Sequence, residues 1–161
     1  RAHVADYERR FILKEMYGGR GSRDAPGLMA ALDHGCGCDG LIFRIPQDIV
    51  DVETEILWRR EFIAPGYIPT FVDALSDGQS FKALTFVADY EAEQICGDIS
   101  RTEQIKCLLQ GNGILGTSLE YLENVVAHFQ ALEIRDEDSE ALLNQARAAL
   151  DEATSAKKET L

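Results

Sequence analysis

The chain has 161 residues, 45% hydrophobic and 27% charged, a balance typical of globular proteins that excludes a disordered chain or a fibre. Its apolar runs fall far short of the roughly 20 residues that a membrane-spanning helix needs. The 16 Lys and Arg residues against 28 Asp and Glu leave a net charge of −12. Binding nucleic acid calls for a basic face, so neither nucleic acid nor a membrane is an expected partner.

This length predicts a single domain, residues 1–153, followed by a flexible tail, 154–161. No apolar segment follows the basic start, so the opening does not read as a signal peptide. Cys36, Cys38, Cys96 and Cys107 are expected as reduced thiols of a cytoplasmic protein.

In chain order, Val4–Leu13 reads as a strand around Tyr7, Phe11, Ile12 and Leu13. Gly18–Gly27, with four glycines and Pro26, reads as a mobile loop or turn. Leu28–Leu32 and Gly40–Ile45 are short apolar runs about a glycine-rich turn, the pattern of a hairpin. Pro46 opens a helix on which Ile49, Val52 and Ile56 form the apolar stripe expected to be buried. Glu55 and Arg59 suit its solvated face. Gly66 and Pro69 end it. Tyr67–Leu75 and Phe81–Asp89 follow as strands joined by the turn Ser76-Asp77-Gly78-Gln79. Ser100-Arg101-Thr102-Glu103 and Thr117-Ser118-Leu119-Glu120 are capping boxes that start two helices. A last helix is expected over Glu137–Ala153. A strand-rich first half and helices gathered at the end define an α+β fold.

Three groups bear chemistry. His34, Cys36 and Cys38 resemble half of a zinc site, but structural zinc takes four ligands and no second close cysteine pair exists, so a glycine-rich turn is the better reading. The same residues are weak as a cysteine–histidine nucleophile, because neither thiol stands at a helix N-terminus. Gly18, Gly19 and Gly21 are not followed by a helix, which argues against a phosphate loop. Glu61, four residues after Leu57, falls at the margin of the helix stripe. A carboxylate there is partly desolvated, which favours proton uptake and suits proton transfer. The alternative is a salt bridge to Arg59, Arg60 or another basic residue, or simple exposure, and periodicity by itself favours that alternative.

Several segments in a fixed order add to this reading. Pro26-Gly27-Leu28 leads to Leu32-Asp33, then Cys38-Asp39-Gly40 and Arg44-Ile45-Pro46. Leu57-Trp58-Arg59-Arg60-Glu61-Phe62, Gly66-Tyr67-Ile68-Pro69 and Ala83-Leu84-Thr85-Phe86-Val87-Ala88-Asp89 follow. Gly113-Ile114-Leu115-Gly116-Thr117-Ser118-Leu119-Glu120-Tyr121-Leu122 comes next, and then Val126-Ala127-His128-Phe129. Over roughly Ala5 to Leu150 the chain resembles the ChaC-like γ-glutamylcyclotransferases, long labelled cation-transport regulators. The resemblance implies a small barrel-like sheet surrounded by helices. It implies a small-molecule substrate, glutathione or another γ-glutamyl compound, split to 5-oxoproline and Cys-Gly without metal or organic cofactor. It assigns Glu61 as the catalytic general acid/base and Tyr67 and Tyr121 as substrate-binding aromatics. For the two tyrosines the plainer reading is a half-buried strand residue and helix packing, respectively.

One departure is large. The family carries a Tyr-Gly-Ser-Leu segment whose backbone N–H groups hold the γ-glutamyl end. Tyr17-Gly18-Gly19-Arg20 looks similar but follows the Arg9-Arg10-Phe11 strand, whereas the family's segment precedes it. The natural protein is therefore expected to carry that segment ahead of Arg1. A cysteine at position 36, where a small residue is usual, is a milder departure. A non-catalytic γ-glutamyl-binding or regulatory protein on the same fold, and an acidic interaction module, are the competing functional readings.

Overall fold

A computed structural model describes residues 1–159, and two compact units are distinguished within it. The first holds Arg1–Arg10 and Ala31–Ile95; the second holds Phe11–Ala30 and the chain from Cys96 onward. Strands β2 (Tyr7–Tyr17) and β3 (Ser22–His34) contribute residues to both.

The first unit contains β1 (Ala2–Val4), the start of β2, the end of β3, β4 (Cys38–Gly40), helix α1 (Val50–Glu61), β5 (Tyr67–Ser76) and β6 (Gln79–Ala88). The strands form one mixed sheet in the order β2-β3-β6-β5-β1-β4. Its backbone is the β5–β6 hairpin, in antiparallel register from Tyr67↔Ala88 to Ser76↔Gln79. The turn has Asp77 at φ 49° and Gly78 at φ 76°. Two positive φ values in a two-residue loop match the right-handed strand twist, and Asp-Gly is the pair that tolerates them. β3 joins β6 in parallel at Leu32↔Val87.

The expected hairpin across the Gly35–Gly37 turn does not form. β4 pairs with β1, in register His3↔Asp39 and Val4↔Cys38, and β3 goes to β6. Residues 41–46 are not in a strand. Val4–Leu13 is likewise broken, between β1 and β2. Short apolar runs flanking glycines specify extended chain but not its partner, because parallel and long-range pairings leave no local turn signal.

Asp33 is buried at 6% exposure. Arg10 Nη1 and the Tyr90 hydroxyl both donate to its Oδ2, at 2.6 and 2.7 Å, and the His34 N–H donates to Oδ1 at 2.9 Å. Burial pushes this carboxyl's pKa up, but the bonds from Tyr90, Arg10 and His34 outweigh it and hold it below the usual carboxylate range.

The second unit packs α2 (Arg101–Gln110), α3 (Ser118–Ala131) and α4 (Glu137–Glu159) with the remaining parts of β2 and β3 and the small ribbon β7 (Asn112–Gly113) and β8 (Gly116–Thr117). Phe11, Leu28, Leu108, Leu122, Leu142 and Ala146 form its core. Of the two capping boxes only the second closes. Thr117 and Glu120 exchange both bonds, whereas Ser100 accepts from the Glu103 N–H and the Glu103 carboxylate turns to Lys14 and Lys106, at 3.5 and 3.6 Å. The Gly18–Gly21 turn is held, not loose. The Glu15 carboxylate accepts the N–H groups of Tyr17, Gly19 and Arg20, and Ile114 and Leu115 donate to the carbonyls of Gly18 and Gly19. β3 begins at Ser22 and runs through Pro26. The expected tail is helical as far as Glu159; its end, 160–161, lies outside the described residues.

A carboxyl whose folded pKa is depressed stabilises the fold above its unfolded pKa, and that stabilisation is lost as pH falls through the folded value. Asp33→Asn removes this dependence. It should flatten the acid end of the stability–pH curve and lower the unfolding free energy at neutral pH by about 1–3 kcal/mol, toward the low end because Arg10 is partly solvated. Denaturant melts across a pH series measure both.

Candidate active site

Helix α1 starts after a turn in which the Ile49 N–H donates to the Pro46 carbonyl. Asp51 and Glu53 in its first turn and Arg59 and Arg60 in its last each oppose the helix dipole favourably. Arg59 pairs with Glu55 at 2.5 Å, one turn away. The chain leaves the helix at Phe62, whose N–H donates to the Trp58 carbonyl.

The face of α1 that is shielded differs from the expected one. Ile49, Val52 and Ile56 are 40%, 59% and 56% exposed, and no α1 residue is fully buried. The half-buried positions are Val50, Thr54, Leu57 and Glu61, which share a face by their spacing of four, three and four. Periodicity groups residues onto a side of a helix but does not say which side meets a neighbour. Here aromatic contacts decide it. Trp58 stacks on Phe62 with ring centroids 4.4 Å apart, and Phe62 meets Phe86 of β6 edge-on at 6.1 Å.

Glu61 therefore lies on the shielded face, and its side chain is only 21% exposed. Arg60 donates to its Oε1 from Nε at 2.9 Å and Nη2 at 2.7 Å. Among the described residues no donor reaches Oε2. The salt-bridge alternative is thus realised with Arg60, yet it occupies one oxygen of two. Arg60 is itself 70% exposed, so the pair is solvent-screened.

Tyr67, half-buried, opens β5 directly after Gly66 at φ 139°. Phe86 is paired with Pro69, and alternate residues of a strand share a face. Tyr67 is therefore on the face of the hairpin that Phe62 covers. The end of α1 and the start of β5, separated only by residues 62–66, come together on that face.

Tyr121 belongs to the second unit. The capping box at Thr117 starts its helix, and the Ser118 hydroxyl fastens that start to β3, donating to the Leu28 carbonyl at 2.9 Å and accepting its N–H at 2.7 Å. The Tyr121 ring meets Phe11 edge-on at 6.3 Å. Its hydroxyl oxygen accepts the Ala30 N–H at 3.4 Å. The Arg20 guanidinium lies over the ring, 5.4 Å from its centroid, and donates to the Thr117 carbonyl at 3.0 Å. Arg20 escaped the sequence reading because nothing local links it to a residue about 100 positions away; it brings a cation to Tyr121.

His34 does not approach the cysteines as a ligand; it stacks on Tyr7 with centroids 4.8 Å apart. Among the described residues no group of three or more His, Cys, Asp or Glu side chains is arranged to hold a metal ion, and no helix is long and apolar enough to cross a membrane.

Two crystal structures of the yeast γ-glutamyl cyclotransferase specific to glutathione, one of them with selenomethionine, share this architecture. One superposes with a TM-score of 0.72 at 17% identity, covering 91% of this chain and 86% of the other. The second gives 0.70 at 16% identity, covering 92% and 88%. The fold is thus that of the γ-glutamyl cyclotransferases. The family model described as ChaC-like protein matches residues 1–149, and the chain belongs to that family. The glutathione-specific γ-glutamylcyclotransferase of Escherichia coli K12 is 29% identical over 150 residues, and the match spans 92% of this chain but 64% of that relative's length.

The aromatic contact that orients α1 is open to test. Phe62→Ala should cost about 1 kcal/mol of stability and raise amide hydrogen exchange in α1 above that in the β5–β6 hairpin. Unchanged exchange in α1 would show that something else holds the helix.

Proposed function

We propose that this protein is a glutathione-specific γ-glutamylcyclotransferase of the cytoplasm. Family membership across residues 1–149 supports the reaction class. The printed activity of the bacterial relative supports the substrate. The observation that carries the assignment to a residue is the Glu61 carboxylate, four-fifths shielded with Oε2 open. Reducing compartments maintain both free thiols and glutathione, which fits a chain with four cysteines and no disulfide.

In this reading Glu61 takes a proton from the α-ammonium group of the γ-glutamyl moiety. The freed amine attacks the γ-carbonyl of the same molecule and closes the five-membered ring. The attacking nitrogen sheds a second proton as the amide C–N bond breaks, and the departing cysteinyl nitrogen takes up both protons, with Glu61 as the carrier, and leaves as the ammonium group of Cys-Gly. The products are 5-oxoproline and Cys-Gly; no water is consumed and no cofactor enters. Holding amine and carbonyl in one conformer supplies much of the acceleration. Proton transfer by a positioned carboxylate supplies the rest. Tyr67 and Tyr121 bind the substrate through their hydroxyls and ring faces.

Purified protein incubated with glutathione should release 5-oxoproline and Cys-Gly in equal amounts. Glu61→Gln should keep the fold and lower kcat by roughly 100-fold or more. Turnover of that variant at the normal rate would remove Glu61 from the mechanism. Tyr67→Phe and Tyr121→Phe should each reduce kcat/KM by about tenfold, the loss of one substrate hydrogen bond.

A further inference from the structure

Arg20 is a half-buried cation to which the proposed reaction gives no task. A charge withdrawn from water is normally paired. Arg10 and Arg101, also half-buried, pair with Asp33 and Asp138. Among the described residues Arg20 pairs with no carboxylate, although the chain carries 28 acidic side chains. A guanidinium carries five N–H donors. The acceptor that those of Arg20 reach is neutral, the Thr117 carbonyl, 3.0 Å from Nη1.

Two acids stand beside Arg20, and both are committed to backbone. The Glu15 carboxylate accepts the N–H groups of Tyr17, Gly19 and Arg20 itself. Glu120 Oε2 accepts the N–H and the hydroxyl of Thr117, at 2.7 and 3.0 Å. The main chain of Arg20 is meanwhile wedged in place. A Cβ on Gly27 would stand 2.4 Å from the Arg20 carbonyl oxygen, and one on Gly111 would stand 2.7 Å from it. Backbone that close on two sides leaves no room for a side chain. From this fixed base the guanidinium lies over the Tyr121 ring, 5.4 Å from its centroid. The ring attracts the cation but supplies no negative charge to neutralise it.

We propose that Arg20 is a carboxylate-binding residue whose ligand is a carboxylate of the γ-glutamyl substrate; that choice of ligand rests on the function proposed above. A planar guanidinium donates two parallel N–H bonds to one carboxylate, a match that a point charge does not make. Because its backbone is fixed beforehand, Arg20 loses little freedom when the ligand arrives. Tyr121, on which it rests, adds aromatic surface to the same place. Glutathione offers two groups of this chemistry, the α-carboxylate beside the reacting amine and the glycyl carboxylate on the departing dipeptide. Neutralising each in turn tells them apart.

Binding is measured by calorimetry on the full chain carrying Glu61→Gln, in which turnover is slowed. The ligands are glutathione, its glycyl ethyl ester and its α-carboxamide. At least one of the two neutralised ligands should bind about tenfold or more weaker than glutathione, the loss of a charge-assisted pair. Adding Arg20→Gln should weaken glutathione by a similar factor and erase the difference from that ligand. Arg20→Lys, which keeps the charge and loses the fork, should leave an intermediate difference. An arginine that only braces the fold would lower the affinity for all three ligands alike, so ratios unchanged by both substitutions overturn the proposal. Release of 5-oxoproline from glutathione by the normal protein is assayed in parallel. Discrimination that depends on Arg20 without release defeats only the cyclotransferase reading. Release with discrimination independent of Arg20 defeats only the carboxylate site. Glutathione that neither binds nor reacts defeats both.

Discussion

The contact of Phe62 with Phe86 is the point on which the candidate site depends. Phe86 is held by a ten-pair hairpin whose register is set by the Asp77-Gly78 turn. A slip of one residue would put Phe86 and Leu84 on the face opposite Tyr67. Phe62, one residue past the end of α1, rests on that ring and stacks on Trp58 a turn earlier. These contacts set the rotation of a helix that otherwise buries nothing completely. That rotation turns Thr54, Leu57 and Glu61 toward shelter and leaves Ile49, Val52 and Ile56 in solvent.

How far this was legible in the sequence follows from how local each signal is. Asp77-Gly78 between two apolar runs, and Thr117 with Glu120 three residues later, are complete in four consecutive residues, and both appear as expected. Ser100 with Glu103 is the same pattern, but Lys14 competes for the Glu103 carboxylate, and that competition is invisible without tertiary structure. The pairings of β4 with β1 and of β3 with β6 are long-range and carry no turn signature. The α1 stripe was grouped correctly but assigned to the wrong side, since the decisive partner, Phe86, lies on a different element. Glu61 and Tyr67 were named through resemblance. Their common face is a consequence of strand register, and composition carries no trace of it.

The second unit makes the complementary point about glycines. Gly18, Gly19 and Gly21 suggested freedom, yet the turn they form wraps its N–H groups around the Glu15 carboxylate. An anion-cradling backbone can be satisfied from within the chain, and it then stiffens a turn. The same turn sends the Arg20 side chain over the ring of Tyr121. A segment that read as a loop thus positions a cation beside one of the two aromatic residues named for substrate.

Asp33 and Glu61 show why burial of a carboxylate does not by itself mark a catalyst. Asp33 is the more buried, but both of its oxygens are occupied, by Arg10, Tyr90 and the His34 N–H. Taking up a proton would break bonds that stabilise the sheet, so the group stays ionised and structural. Glu61 is less buried and holds one partner, an exposed arginine on a single oxygen. Protonating its other oxygen disrupts nothing described in the structure. A group that must gain and lose a proton in every turnover needs shelter from water and an unfilled valence together. Of these two carboxylates only Glu61 has both.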